Sequence, residues 1–136
     1  MSLKINSFQH LGIPVTNLKR SEQFYEGLGF RNVMTSPFEE NGGTGQVSMM
    51  ELNGMIIEIY QLPEPENAEI RTRKDGHIDH IAFDVDDIDA AFSELKSNQY
   101  QVLQPEPVFL PFWKNGCRYF SILGPDGEKL EFNQIL

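Results

Sequence analysis

Cysteine is all but missing from this chain. Cys117 is the sole one, so no internal disulfide forms, and the residue is expected to pack as a small apolar group rather than act as a nucleophile. No apolar run approaches the length of a membrane span, which argues against a transmembrane protein. Positive charge is also scarce. Eleven Lys and Arg against twenty Asp and Glu give a net charge of −9, a balance that disfavours phosphate backbones and anionic lipid. The segment Met1–Ile5 lacks the charged-then-apolar layout of a secretion signal. Together these absences lead to the expectation of a cytoplasmic protein with a small-molecule ligand, and with neither nucleic acid nor membrane as partner.

What is present is an ordinary globular composition, 40% hydrophobic over 136 residues, enough for one domain or two small modules sharing one. Residues 6–15 alternate as a strand, with Leu11, Ile13 and Val15 on one face and Phe8, His10 and Gly12 on the other. Thr16 or Asn17 can cap a helix through Lys19, Ser21, Phe24 and Tyr25, which Gly27 or Gly29 ends. A strand follows over 30–35, then a loop over 37–43, then a hairpin of 46–52 and 55–61 about Asn53-Gly54. Residues 62–76 read as a polar linker. The order then repeats: strand 77–85, helix 87–98 capped by Asp86 or Asp87, strand 100–104, an aromatic loop, strand 117–123, turn 124–127 and strand 128–134.

The halves keep register. His10 and His80 are 70 residues apart, as are Phe30 and Tyr100; Glu58 and Glu131 are 73 apart, as are Gln61 and Gln134. This predicts an α+β protein, a single domain of two βαβββ modules, residues 5–61 and 77–136, joined by the linker. In each module one His and one Glu project from the strand face that the helix does not cover. Leu130 and Phe132 flank Glu131, and Ile57 and Ile59 flank Glu58, so the apolar side belongs to the flanking residues.

If the sheets curl, His10, Glu58, His80 and Glu131 converge. Two imidazoles and two carboxylates suit one borderline divalent ion, Ni, Co or Zn, with Mn or Fe as further choices. Each residue taken alone is an ordinary strand residue; their equivalence between halves is what favours a metal site. His77 has no counterpart at Ser7 and is expected to be structural. In the loop 109–116, Trp113 and Lys114 are candidates for a pocket wall or lid, against the alternative of a core plug or dimer contact. An even-length hairpin loop would put Arg118 and Phe120 on the face of Glu131, with Arg118 as anchor for a substrate carboxylate.

These residues carry a resemblance to the vicinal oxygen chelate superfamily, which includes glyoxalase I, extradiol dioxygenases, fosfomycin-resistance thiol transferases, methylmalonyl-CoA epimerase and bleomycin-binding proteins. The carriers are the segments 8–13, 21–30, 57–59, 79–88 and 124–132, and the resemblance spans nearly the whole chain. It implies curved mixed sheets around a metal cleft with helices on the outer faces, and a homodimer whose sites are shared between chains. The His, Glu, His, Glu set resembles that of bacterial glyoxalase I. That implies a lyase that isomerises a hemithioacetal of a 2-oxoaldehyde through an enediolate held on the metal, with Glu131 moving the proton and Glu58 as its mirror-related partner. The alternatives are another enzyme of the superfamily, methylmalonyl-CoA epimerase-like, thiol transferase or dioxygenase, and a non-enzymatic binder of an aromatic or cationic drug.

Overall fold

The computed structural model describes residues 2–27, 29–73, 78–123 and 129–136. His77 and the turn expected at 124–127 lie outside the described residues. The contacts divide the chain into two compact units, residues 10–79, and residues 1–9 together with 80–136. The fold is α+β, and both units are built on mixed sheets.

The first unit contains strand β1 (Ser7–Pro14, from His10 on), helix α1 (Leu18–Gly27), β2 (Arg31–Glu40), β3 (Gly43–Leu52), β4 (Met55–Gln61) and the short helix α2 (Glu66–Ile70). Its strand order is β2-β3-β4-β1, parallel between β1 and β4 and antiparallel elsewhere. Met50, Ile57 and Ile59 form the core of one face, with Leu11, Ile13, Leu18 and Tyr25 packed on it, so α1 covers that side. Asn17 caps α1 by accepting the Arg20 N–H at 3.0 Å. Gly29, at φ 100°, ends it in the left-handed region that glycine enters without a Cβ penalty.

The second unit contains β5 (His80–Asp84), α3 (Ile88–Ser97), β6 (Val108–Leu110), β7 (Cys117–Leu123) and β8 (Lys129–Ile135), in the sheet order β5-β8-β7-β6. Asp87 caps α3 through the Ala90 N–H at 2.9 Å. The helix buries Ile88, Ala91 and Leu95 against Val85, Phe120, Ile122 and Phe132. The Phe120 ring stacks on Phe132 at 5.2 Å and meets Phe92 edge-on at 5.2 Å, so three aromatics fix the helix on the sheet.

Three expectations are corrected here. Residues 37–43 are not a loop: β2 runs on through Pro37 to Glu40 and reverses at Asn41-Gly42, both at positive φ, to pair Glu40 with Gly43. Pro37 is tolerated because β2 lies at the end of the strand order, where a missing N–H costs no ladder bond. The polar segment 62–76 contains α2, with Asn67 and Ile70 buried. The strand expected at 100–104 shrinks to one bridge, Val102 to Ile122, and Val108–Leu110 forms the outer strand instead. Pro105 and Pro107, which donate no hydrogen bond, separate the two.

Candidate metal centre

In the first unit, β1 and β4 run parallel with Gly12 beside Glu58. His10, two residues earlier, shares that face, opposite to α1. The His10 Nε2 lies 3.3 Å from the Glu58 carboxylate, and both side chains are buried. In the second unit, β5 and β8 repeat the arrangement: Ala82 sits beside Glu131, His80 precedes Ala82 by two, and His80 Nε2 lies 3.5 Å from Glu131. A residue no larger than alanine faces each glutamate, leaving room for the imidazole to reach the carboxylate diagonally. Each unit thus carries one buried His–Glu pair from the same strand geometry. One imidazole nitrogen and one carboxylate oxygen per pair is a donor set that a borderline divalent ion accepts. An isolated buried carboxylate is costly, and a cation offsets that cost, so the residues present fit a metal ion.

The surroundings of the two pairs differ. Met49 is the partner of Glu58 across β3, and Val47 that of Tyr60, so the first pair has an apolar wall. The Tyr60 hydroxyl is hydrogen-bonded to Asp79; burial first, then that carboxylate, hold its pKa far above the usual tyrosine range. Beside Glu131 the wall is polar: Ser121 is its partner across β7, and Asn133 Nδ2 donates to Glu131 Oε1 at 2.8 Å. Sequence reasoning missed Tyr60 and Asn133. Both stand two residues beyond the glutamate on the same strand face, a spacing that was there to be read.

Arg118 and Phe120 do not share the face of Glu131. Leu123 pairs with Lys129, so an odd number of residues joins β7 to β8, and Cys117, Tyr119 and Ser121 take that face instead. Phe120 is fully buried under α3. Arg118 makes a bidentate pair with Asp89 of α3 at 2.6 and 2.9 Å, which holds the Asp89 carboxyl below the usual aspartate range. In the aromatic loop Phe112 is buried, Trp113 is half-buried with φ 64°, and Lys114 is exposed. Cys117 is fully buried, in keeping with a packing residue.

A model of the glyoxalase/bleomycin resistance protein/dioxygenase superfamily matches residues 7–132. The chain belongs to that superfamily. Enzymes of this superfamily act on small molecules and typically bind a metal. The chain is 33% identical over 128 residues to the uncharacterized protein YwbC of Bacillus subtilis, covering 92% of this chain and 94% of that one. The solved structure of the hypothetical protein BH1468 from Bacillus halodurans superposes with a TM-score of 0.77 at 25% identity, over 98% of this chain and 96% of the other. Methylmalonyl-CoA epimerase from Mycobacterium tuberculosis superposes with a TM-score of 0.80 at 17% identity, over all of this chain and 92% of its own, a likeness of fold. The His–Glu pairs here stand on strands rather than on loops, so the backbone register fixes the spacing within each pair. Among the described residues no helix is long and apolar enough to cross a membrane.

Proposed function

We propose that this protein is a metal-dependent lyase of the glyoxalase I type, with His10, Glu58, His80 and Glu131 as the ligands of one divalent ion, Ni, Co or Zn. The observation that carries the reading is the repeated pair: a buried histidine within 3.3 to 3.5 Å of a buried glutamate, once in each unit, on equivalent strands. When bound, the ion supplies Lewis-acid stabilisation of negative charge on two neighbouring substrate oxygens. Glu131, loosened from the ion as it acts so that Oε2 is free, removes the proton from the carbon bearing the hydroxyl and sulfur of the hemithioacetal and delivers it to the adjacent carbonyl carbon. The hydroxyl proton leaves one oxygen as the other gains one, so the hemithioacetal and the 2-hydroxyacyl thioester have the same atoms. Glu58 is its mirror-related partner. Trp113 and Lys114 are proposed as pocket wall and thiol contact. The site is shared between two chains of a homodimer, one module from each.

The test is turnover of methylglyoxal plus a small thiol by protein loaded with Ni, Co or Zn, followed by the ultraviolet absorbance of the thioester. Activity in the wild type that falls at least a hundredfold in Glu131→Gln supports the reading; no turnover with any of the three metals removes it. A second reading, proton transfer at a carbon beside a thioester carbonyl, draws on the same two carboxylates and on the fold shared with methylmalonyl-CoA epimerase. Epimerisation of methylmalonyl-CoA without thioester formation from methylglyoxal would select it.

A further inference from the structure

Glu131 is held by a neighbour that is neither a candidate ligand nor a titrating group. Asn133 is buried, on the same face of β8, two residues along. Its Nδ2 donates to Glu131 Oε1 at 2.8 Å and lies 3.9 Å from Cys117 Sγ. A carboxylate can only accept, so the amide is oriented by chemistry: nitrogen toward Glu131, Oδ1 away. That Oδ1 is buried and has no donor among the described residues. The backbone of Asn133 is itself fixed, its carbonyl accepting from the Val85 N–H at 3.0 Å and from Gln9 Nε2 at 3.5 Å. The amide therefore grips Oε1 from a rigid strand, and the other carboxylate oxygen, Oε2, is the one toward His80 at 3.5 Å. At the equivalent position of the first unit stands Tyr60, whose hydroxyl is bonded to Asp79. The two glutamates thus have different neighbours.

We propose that Asn133 is a positioning residue that fixes the rotamer of Glu131 and presents a single oxygen, Oε2, to the bound divalent ion. This rests on the metal reading above. A hydrogen bond to a ligating carboxylate orients it and typically changes metal affinity ten- to a hundredfold when removed. Asn133→Leu keeps the branching at Cγ, removes the bond to Glu131 and removes the unpaired Oδ1. The metal-free variant is expected to stay folded, while its affinity for cobalt(II) alone falls at least tenfold and the visible absorption of the cobalt protein changes in position or intensity. Asn133→Ala is the second variant, should the leucine not fold; the cobalt readouts and their expected direction are the same. Cobalt affinity and spectrum within twofold of wild type in a folded variant would overturn the inference and leave the metal reading standing. A wild type that binds no cobalt would overturn both, and the two failures are told apart by that control.

Discussion

The Gln61 side-chain oxygen accepts the backbone N–H of Leu18, the first residue of α1, at 2.8 Å. Gln134 does the same for Ile88, the first residue of α3, at 3.1 Å. In each unit the last strand therefore caps the helix, satisfying a donor the helix cannot satisfy itself. Loss of such a cap costs about 1 kcal/mol. Gln134→Ala should lower the urea midpoint accordingly without changing the slope of the transition. An unchanged midpoint would show that water replaces the cap at no cost.

The helix ends are equivalent as well, but not equally well built. Gly29 and Gln99 occupy the same place: Gly29 N–H bonds to Glu26 and Gln99 N–H to Lys96, followed by Phe30 to Tyr25 and Tyr100 to Leu95. Gln99 has φ 64° and an exposed side chain, so its Cβ gains little and strains the backbone. Gln99→Gly is expected to stabilise the fold by about 0.5–1 kcal/mol, read as a rise in thermal midpoint of a few degrees.

Such matched pairs explain what the sequence made legible. His10 with His80, Glu58 with Glu131 and Gln61 with Gln134 are each spaced by the repeat, and strand alternation gave their faces. Parity across a turn was not legible. Asn53-Gly54 closes a two-residue loop, whereas Leu123 and Lys129 are partners across an odd connection, and one residue flips every side chain of β7. Proline misled in the opposite sense: Pro37 looks like loop, and only the position of β2 at the outside of its sheet shows why it is strand. Asn133 and Tyr60 stood at a readable spacing from the glutamates, but a neutral amide and a phenol among strand residues carry no charge pattern to single them out.

The flipped face gives a prediction for Phe120. It stacks on Phe132, meets Phe92 edge-on and is fully buried. Phe120→Ala should cost roughly 3–5 kcal/mol, the range for an aromatic removed from a packed core. If Phe120 were a substrate contact, the variant would stay folded and lose affinity instead; a denaturation curve separates the two.

Arg118 gives a pH dependence. Its bidentate bond lowers the Asp89 pKa, so the pair stabilises the fold fully above the ordinary aspartate value of about 4 and progressively less as pH falls toward the depressed folded value. Arg118→Met should therefore be less stable than wild type at neutral pH. The gap should close on acidification below about pH 4, and it should be small throughout, because an exposed pair is screened. A gap that widens in acid would contradict the assignment.

The sharing of ligands between chains can be tested by complementation. His10→Ala and His80→Ala should each abolish stoichiometric metal by elemental analysis, since either removes an imidazole from the proposed set. If one chain's first module meets the partner's second, a mixed dimer of the two variants holds one site lacking both histidines and one site with both. Random reassembly makes about half of the dimers mixed, so roughly a quarter of wild-type metal and activity should return. A site built within one chain returns none, because every chain in the mixture lacks a ligand. Recovery on co-refolding would therefore establish the exchange, and its absence, with both variants folded and dimeric, would place all four ligands on one chain.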